Sequence, residues 1–183
     1  MYGLVNKAIE DLVCSRYGED VWEEIKKKAS VDIDAFLGNE SYADEITYKL
    51  VGAASEILNC PADQFIEAFG EHWVLFTGKE GYGALFESSG RTFKDFLLNL
   101  PSFHSRLTLL FPNFRPPSFQ CTDVTDDSLR LHYGSTRPGL SPMVFGLLKG
   151  LGVLYNTEVT VTQAARRENG ADHDEFLIKF RRH

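Results

Sequence analysis

The chain has 183 residues, of which 43% are hydrophobic and 25% are charged, and 14 are phenylalanine. This composition predicts one globular domain over residues 1–183 with a substantial core. The net charge of -7 argues against nucleic-acid binding, which requires a basic surface.

The first two-thirds of the chain predict helices, because apolar residues recur there every three or four positions. The first predicted helix ends at Tyr17-Gly18, and the second covers about residues 20–29. A third begins near Ala43 or Asp44. A fourth begins at Pro61, a residue that suits the first turn of a helix, and ends at Gly78.

A short helix is predicted at 81–86, followed by a long apolar stripe from Phe93 to Phe111 that contains His104. Pro101 is expected to kink or restart this helix, and Pro112 to stop it. The later part of the chain predicts two hairpins and one helix. That helix is capped by Ser141 and runs to about residue 154. The predicted strands are 118–124, 128–135, 157–164 and 175–181.

Together these elements predict an α+β fold in which a helical N-terminal region packs with a four-stranded antiparallel sheet. The N-terminus lacks the features of a secretion signal, and no apolar run approaches the ~20 residues of a membrane span. The three cysteines are widely spaced and suggest neither a disulfide framework nor a metal motif. We therefore expect a cytoplasmic protein without a membrane partner.

Three polar side chains at alternate positions are the first candidate site. Tyr133, Ser135 and Arg137 project from the same strand face. An arginine fork pairs with carboxylates, and the two hydroxyls can add hydrogen bonds. Such a group could hold the two propionates of a haem, although the mixed face of an ordinary hairpin would give the same pattern.

His104 is the second candidate, because a neutral imidazole on an apolar helix can ligate haem iron. A lone histidine on such a face is more often a core residue. Pro116 and Pro117 follow closely, and a rigid proline ring could press on a porphyrin. Since C-x-x-C-H is absent from the sequence, any haem would be held non-covalently.

In combination these features resemble the H-NOX family, the haem domains related to the sensor domain of soluble guanylate cyclase. The resemblance covers essentially the whole chain. The matching residues are Met1-Tyr2-Gly3-Leu4-Val5, Tyr17-Gly18, His104, Pro117, Tyr133-Gly134-Ser135-Thr136-Arg137 and Gly146-Leu147-Leu148. It implies a haem buried between the helices and the sheet.

The resemblance also implies individual roles. His104 would be the axial iron ligand, and Pro117 would distort the porphyrin. Tyr133, Ser135 and Arg137 would bind the propionates. In the related family NO can weaken or break the bond between the histidine and iron.

The opposite side of the haem is expected to be apolar, formed by Val5, Ile9, Trp73, Met143 and Leu147. Some family members place a tyrosine on the helix after the propionate motif, and Met143 is the best match to it here. Without that donor, NO and CO are favoured over oxygen, which usually needs a hydrogen bond when bound. The indole N–H of Trp73 could still supply one.

The leading hypothesis is a haem-based NO and CO sensor that signals to a separate protein, such as a histidine kinase or a nucleotide cyclase. An oxygen-binding or haem-dependent redox protein is the alternative. Peroxidase chemistry would need a polar acid/base pair, for which only His72 offers possible reach. A haem-free interaction module is a further alternative.

The remaining histidines are expected to have no role. His72 is placed on the outer face of its helix and His132 opposite Tyr133. His173 is placed in a loop, and His183 is the last residue.

Overall fold

A helical N-terminal part precedes four strands that flank one further helix. The computed structural model describes residues 1–111 and 113–182, and the side chains among them except those of 77–82. The helices are α1 (Gly3–Tyr17), α2 (Glu19–Ala29), α3 (Asp44–Ile57), α4 (Ala62–His72), α5 (Lys79–Glu87), α6 (Phe93–Leu98), α7 (Leu100–Leu110) and α8 (Ser141–Leu154). The strands are β1 (Ser118–Thr122), β2 (Ser128–Gly134), β3 (Thr157–Ala165) and β4 (Asp174–Arg182).

The strands form one antiparallel sheet in the order β1-β2-β4-β3, which confirms the predicted α+β fold. Side chains alternate across each strand. Leu129, Leu131 and Tyr133 of β2 are therefore buried on the inner face. Arg130 and His132 lie on the outer face, where they are only half-buried.

Two apolar cores meet inside the molecule. One joins α1–α4, and the other joins α6, α7 and α8 to the inner face of the sheet. Trp73 packs against both cores. The space that becomes the candidate site therefore lies between helices and sheet.

Glycines bring α4 and α8 into close contact. A Cβ atom built on Gly146 would lie 1.9 Å from the Glu67 carbonyl oxygen, and one on Gly70 would lie 2.3 Å from the Met143 carbonyl oxygen. Real Cβ atoms do not approach other atoms so closely. Only glycine permits this separation of the two helix backbones.

Several predicted helix ends differ from the structure. The fourth helix was predicted to end at Gly78, but α4 ends at His72. A π-helical turn (Trp73–Gly78) follows it and continues directly into α5, which starts earlier than predicted. Asn99 separates α6 from α7, so Pro101 lies in the first turn of a restarted helix, as expected. The predicted stop at Pro112 lies outside the described residues.

Ser141 is not the N-cap predicted from the sequence. It is the first residue of α8, and its hydroxyl donates to Asp174 Oδ2 at 2.8 Å instead of bonding to the helix backbone. Asp174 also accepts from the Arg167 backbone N–H and from Gln163. This carboxylate therefore ties the start of α8 to the sheet. None of the helices in the described ranges has the length and apolar character needed to cross a bilayer.

Candidate functional site

A largely apolar cavity of about 220 Å³ lies between the two cores. A smaller cavity of about 180 Å³ adjoins it and shares Val5, Arg137 and Leu140 with it. The structure brings the predicted site residues together here, with one exception. The predicted residues that line the larger cavity are Val5, Trp73, His104, Pro117, Tyr133, Ser135, Arg137, Met143 and Leu147.

His104 lies on α7, and its ring is fixed by one hydrogen bond and by aromatic contacts. Nδ1 is 2.9 Å from the Leu100 carbonyl oxygen, which can only accept, so Nδ1 carries the proton. The imidazole stacks on Phe119 with ring centroids 5.3 Å apart and on Phe114 with ring centroids 6.3 Å apart. Nε2 is thus the nitrogen with a free lone pair.

Burial lowers the pKa of His104, although the hydrogen bond to Leu100 acts in the opposite direction. The ring is therefore neutral at pH 7. Neutral imidazole whose second nitrogen is held by a backbone carbonyl is the usual form of a histidine metal ligand. Nothing about this side chain requires a change of protonation before it binds a metal.

The second part of the site follows the end of β2. Tyr133 is buried near the end of β2, and two residues later the Ser135 hydroxyl accepts from the Arg137 backbone N–H at 3.1 Å. Burial raises the pKa of Tyr133, so that its hydroxyl stays protonated and can donate. All three residues line the same cavity.

Asp44 is a member of the site that sequence reasoning missed. Its Oδ2 accepts from Arg137 Nε at 2.7 Å, and its Oδ1 accepts from the N-terminal ammonium of Met1. Although burial acts against it, these two hydrogen bonds lower the pKa of Asp44. Asp44 is 93 residues from Arg137 in the chain, so no local pattern could have revealed this contact.

A second part of the cavity lining, predicted to lie opposite His104, is formed by Val5 from α1, Trp73, and Met143 and Leu147 from α8. We call this part the opposite wall. Its side chains are apolar except for the indole N–H of Trp73. Ile9 was predicted here too, but it is 1% exposed and lies within the helical core, and it is not among the residues that line the cavity.

His72 was predicted on the outer face of its helix, and this is wrong. Only 5% of the residue is exposed, and its Nε2 is buried without a hydrogen-bond partner among the described residues. The ring stacks on Phe76 at 4.8 Å. His72 is not among the residues that line the cavity.

Comparisons with known proteins agree with this geometry. The sequence profile of the Haem-NO-binding family matches residues 2–163. Soluble guanylate cyclase gcy-31 of Caenorhabditis elegans is 32% identical over 162 residues, which is 88% of this chain and 23% of that protein. Soluble guanylate cyclase 89Da of Drosophila melanogaster is 27% identical over 80% of this chain and 22% of that protein. The chain thus spans about a quarter of the length of these relatives.

Solved structures share the fold. An H-NOX protein from Shewanella oneidensis in the Fe(II)NO ligation state superimposes with a TM-score of 0.91 at 21% identity, covering 99% of both chains. A mutant H-NOX protein from K. algicida in the unliganded Fe(II) state gives a TM-score of 0.87 at 18% identity, covering 99% of this chain and 97% of that one. At these identities the likeness establishes the architecture of helices and sheet.

Proposed function

Since this chain belongs to the Haem-NO-binding (H-NOX) family, we propose that it is a haem-based sensor that binds NO and CO and signals to a separate protein. The family domain is a sensor and not a catalytic unit. The observation that carries the proposal is the presence of a neutral His104 and of the donors Tyr133, Ser135 and Arg137 in one otherwise apolar cavity.

The residues present fit haem b held without covalent bonds. Ferrous haem would supply an iron atom that binds a diatomic gas. His104 Nε2 would hold that iron, and apolar side chains would cover the porphyrin faces. Pro117 lines the same cavity and would press on the ring.

The propionates would be bound by the donors at the end of β2. Arg137 already donates through Nε to Asp44, and its Nη1 is 3.2 Å from the Arg115 carbonyl oxygen. These bonds hold the guanidinium at the cavity edge before any ligand arrives, which reduces the entropy that is lost on binding. We therefore assign Asp44 the role of positioning Arg137.

The gas selectivity follows from the opposite wall. Bound oxygen is stabilised by a hydrogen-bond donor, whereas NO and CO need one less. Met143 offers none, and Trp73 carries the one N–H among the described side chains of this wall. The absence of a tyrosine from these side chains supports NO and CO as the ligands.

A signal would pass through α7. This helix carries His104 and contacts β1, so a change in the attachment of the imidazole would alter how α7 lies on the sheet. Two positions of α7, favoured to different degrees by the ligand, are the minimum for an allosteric switch. The receiver would be a histidine kinase or a nucleotide cyclase, the second class being that of the curated relatives.

The test is an anaerobic absorption spectrum of the dithionite-reduced, haem-loaded protein, recorded before and after addition of NO, CO and, separately, air. We expect NO and CO to shift the Soret band. In air we expect no spectrum of a stable oxygen complex. His104→Gly should change the ferrous spectrum, and added imidazole should restore it. His72→Gly, which removes a buried histidine outside the cavity, is the matched control.

An unchanged ferrous spectrum in His104→Gly would contradict the ligand assignment. A stable oxygen spectrum in the wild type would favour the oxygen-binding alternative, with Trp73 as the donor. If no haem band formed in the presence of supplied haem, the proposal as a whole would fail.

A further inference from the structure

A second cluster of metal-ligating side chains lies on the outer face of the sheet, away from the cavity. His132 of β2 is directly opposite Glu175 of β4 in the strand register. His173 immediately precedes β4. Among the described residues, these three form a group of potential metal ligands whose ligand atoms all lie within 4.8 Å of one another.

The distances are close to those around a bound ion. His132 Nδ1 lies 2.8 Å from His173 Nε2, and Glu175 Oε1 lies 3.7 Å from the first and 3.5 Å from the second. Tetrahedral Zn²⁺, with bonds of about 2.0–2.1 Å, separates its nitrogen and oxygen ligands by roughly 3.3 Å. Shifts of about half an ångström would bring the three atoms to that spacing.

Each ligand candidate has an outer partner that orients it. Asp172 Oδ1 is 2.5 Å from His173 Nδ1, which places the proton there and leaves the lone pair on Nε2. Thr122 Oγ1 is 2.8 Å from His132 Nε2. Such partners are typical of metal-ligating histidines, whose second nitrogen is usually hydrogen-bonded.

The carboxylate is oriented in the same way. Arg130 Nη1 donates to Glu175 Oε2 at 2.8 Å, and its Nε donates to Asp123. Oε1 of Glu175 is the oxygen nearer to the two histidines. Side-chain exposures of 22% for His132, 30% for His173 and 25% for Glu175 leave the cluster open to a hydrated ion.

We propose that His132, His173 and Glu175 bind one borderline divalent transition-metal ion, with Zn²⁺ as the expected occupant and water in the fourth position. Two imidazoles and one carboxylate suit zinc and its neighbours better than Mg²⁺ or Ca²⁺, which prefer oxygen ligands alone. Without metal, the two rings satisfy each other by a hydrogen bond between Nδ1 and Nε2.

The ion would fasten the segment between β3 and β4 to β2. That segment also reaches the cavity edge, because Arg167 Nη1 donates to the Ser135 carbonyl oxygen at 2.5 Å. Metal binding would thus restrain a loop that contacts the propionate-binding residues. Hydrogen exchange of amides 166–173 should slow when the ion is bound.

The experiment is a calorimetric titration of tag-free, haem-loaded protein with ZnSO₄, together with X-ray absorption at the zinc edge. We expect one zinc per chain, with only nitrogen and oxygen neighbours at about 2.0–2.1 Å. The Soret band should not change during the titration. His132→Gln/His173→Gln should abolish stoichiometric binding, and Asp172→Asn should weaken it about 10-fold.

Glu175→Gln should also weaken binding, and Glu158→Gln is its matched control. Glu158 likewise pairs with an arginine on the neighbouring strand, Arg181, at 2.7 Å, but it is outside the cluster. The proposal is wrong if zinc binds with sulfur neighbours near 2.3 Å, the distance typical of thiolate ligands, if the double variant retains full affinity, or if both glutamate variants behave alike. It is equally wrong if the wild type takes up no zinc and the rings share only a hydrogen bond.

Discussion

The two walls of the cavity are built by different means. The wall that carries His104 consists of stacked rings, with Phe119 and Phe114 on the imidazole and Phe103 at its edge. The opposite wall depends on α4 and α8, which meet through glycines, and it presents Trp73, Met143 and Leu147.

Under the proposed function, this difference would let one cavity serve two purposes. The first wall must hold one polar atom, Nε2 of His104, in a fixed direction, and rigid aromatic neighbours with a backbone hydrogen bond achieve that. The second wall must exclude polar atoms and leave a small space. Close packing of α4 against α8 achieves this, because the glycines at the contact have no side chain to hold the two backbones apart.

The largest effect is expected from breaking the second wall with Gly146→Ala. The new Cβ would lie 1.9 Å from the Glu67 carbonyl oxygen and 2.8 Å from the Glu71 backbone nitrogen, so α4 and α8 would have to separate. We expect the free energy of unfolding to fall by about 3 kcal/mol, the upper end for overpacking. Urea unfolding of haem-loaded protein would measure it.

Gly52→Ala is the control for that substitution. Gly52 lies within α3, and outside its own stretch of helix no atom lies within 4 Å of a Cβ built there. Alanine should therefore stabilise the helix by about 0.5–1 kcal/mol. Equal effects of the two substitutions would contradict the close packing of α4 against α8.

The comparison is sharpened by placing a donor on the apolar wall with Met143→Tyr. A hydroxyl in the cavity could donate to bound oxygen, and a hydrogen bond to a charged group contributes about 1.5–3 kcal/mol. Oxygen affinity should rise by roughly 10- to 100-fold, with CO affinity much less affected. Equilibrium oxygen titration of the reduced protein would show the change.

Met143→Phe is the matched control, because it adds a ring of similar size without the hydroxyl. It should leave oxygen affinity near that of the wild type. If Met143→Phe and Met143→Tyr raised the affinity equally, ring volume rather than hydrogen bonding would be responsible. Met143 would then not face the bound gas as proposed.

Much of this architecture could be predicted because the determining interactions are local. The apolar periodicity placed His104 on a helix, and strand alternation put Tyr133 on the face of β2 that is buried. Pro101 marked the restart of α7. Each of these depends on neighbours a few residues apart, which a single sequence contains.

The unpredicted parts depend on contacts between distant segments. Asp44 reaches Arg137 only because α3 lies beside the end of β2, and Ser141 leaves the cap position because Asp174 accepts its hydroxyl. Ile9 matched the apolar pattern of a wall residue, but the rotation of α1 turns it into the helical core. Tertiary packing decided each of these cases.

The smallest effect is expected from substitutions of His72, a buried histidine whose Nε2 has no partner among the described residues. They test what burial alone does to a histidine that, unlike His104, does not line the cavity. Burial lowers its pKa, an effect that Arg16 strengthens and Asp11 opposes. Below about pH 6.5 the unfolded chain therefore takes up a proton that the folded chain does not, so stability decreases as the pH is lowered.

His72→Phe, beside Phe76, should raise the free energy of unfolding by about 1 kcal/mol at pH 7 and by more at about pH 5. His72→Gln should remove only the pH dependence of thermal unfolding that begins below about pH 6.5, and an unchanged slope in both variants would show that another group titrates there.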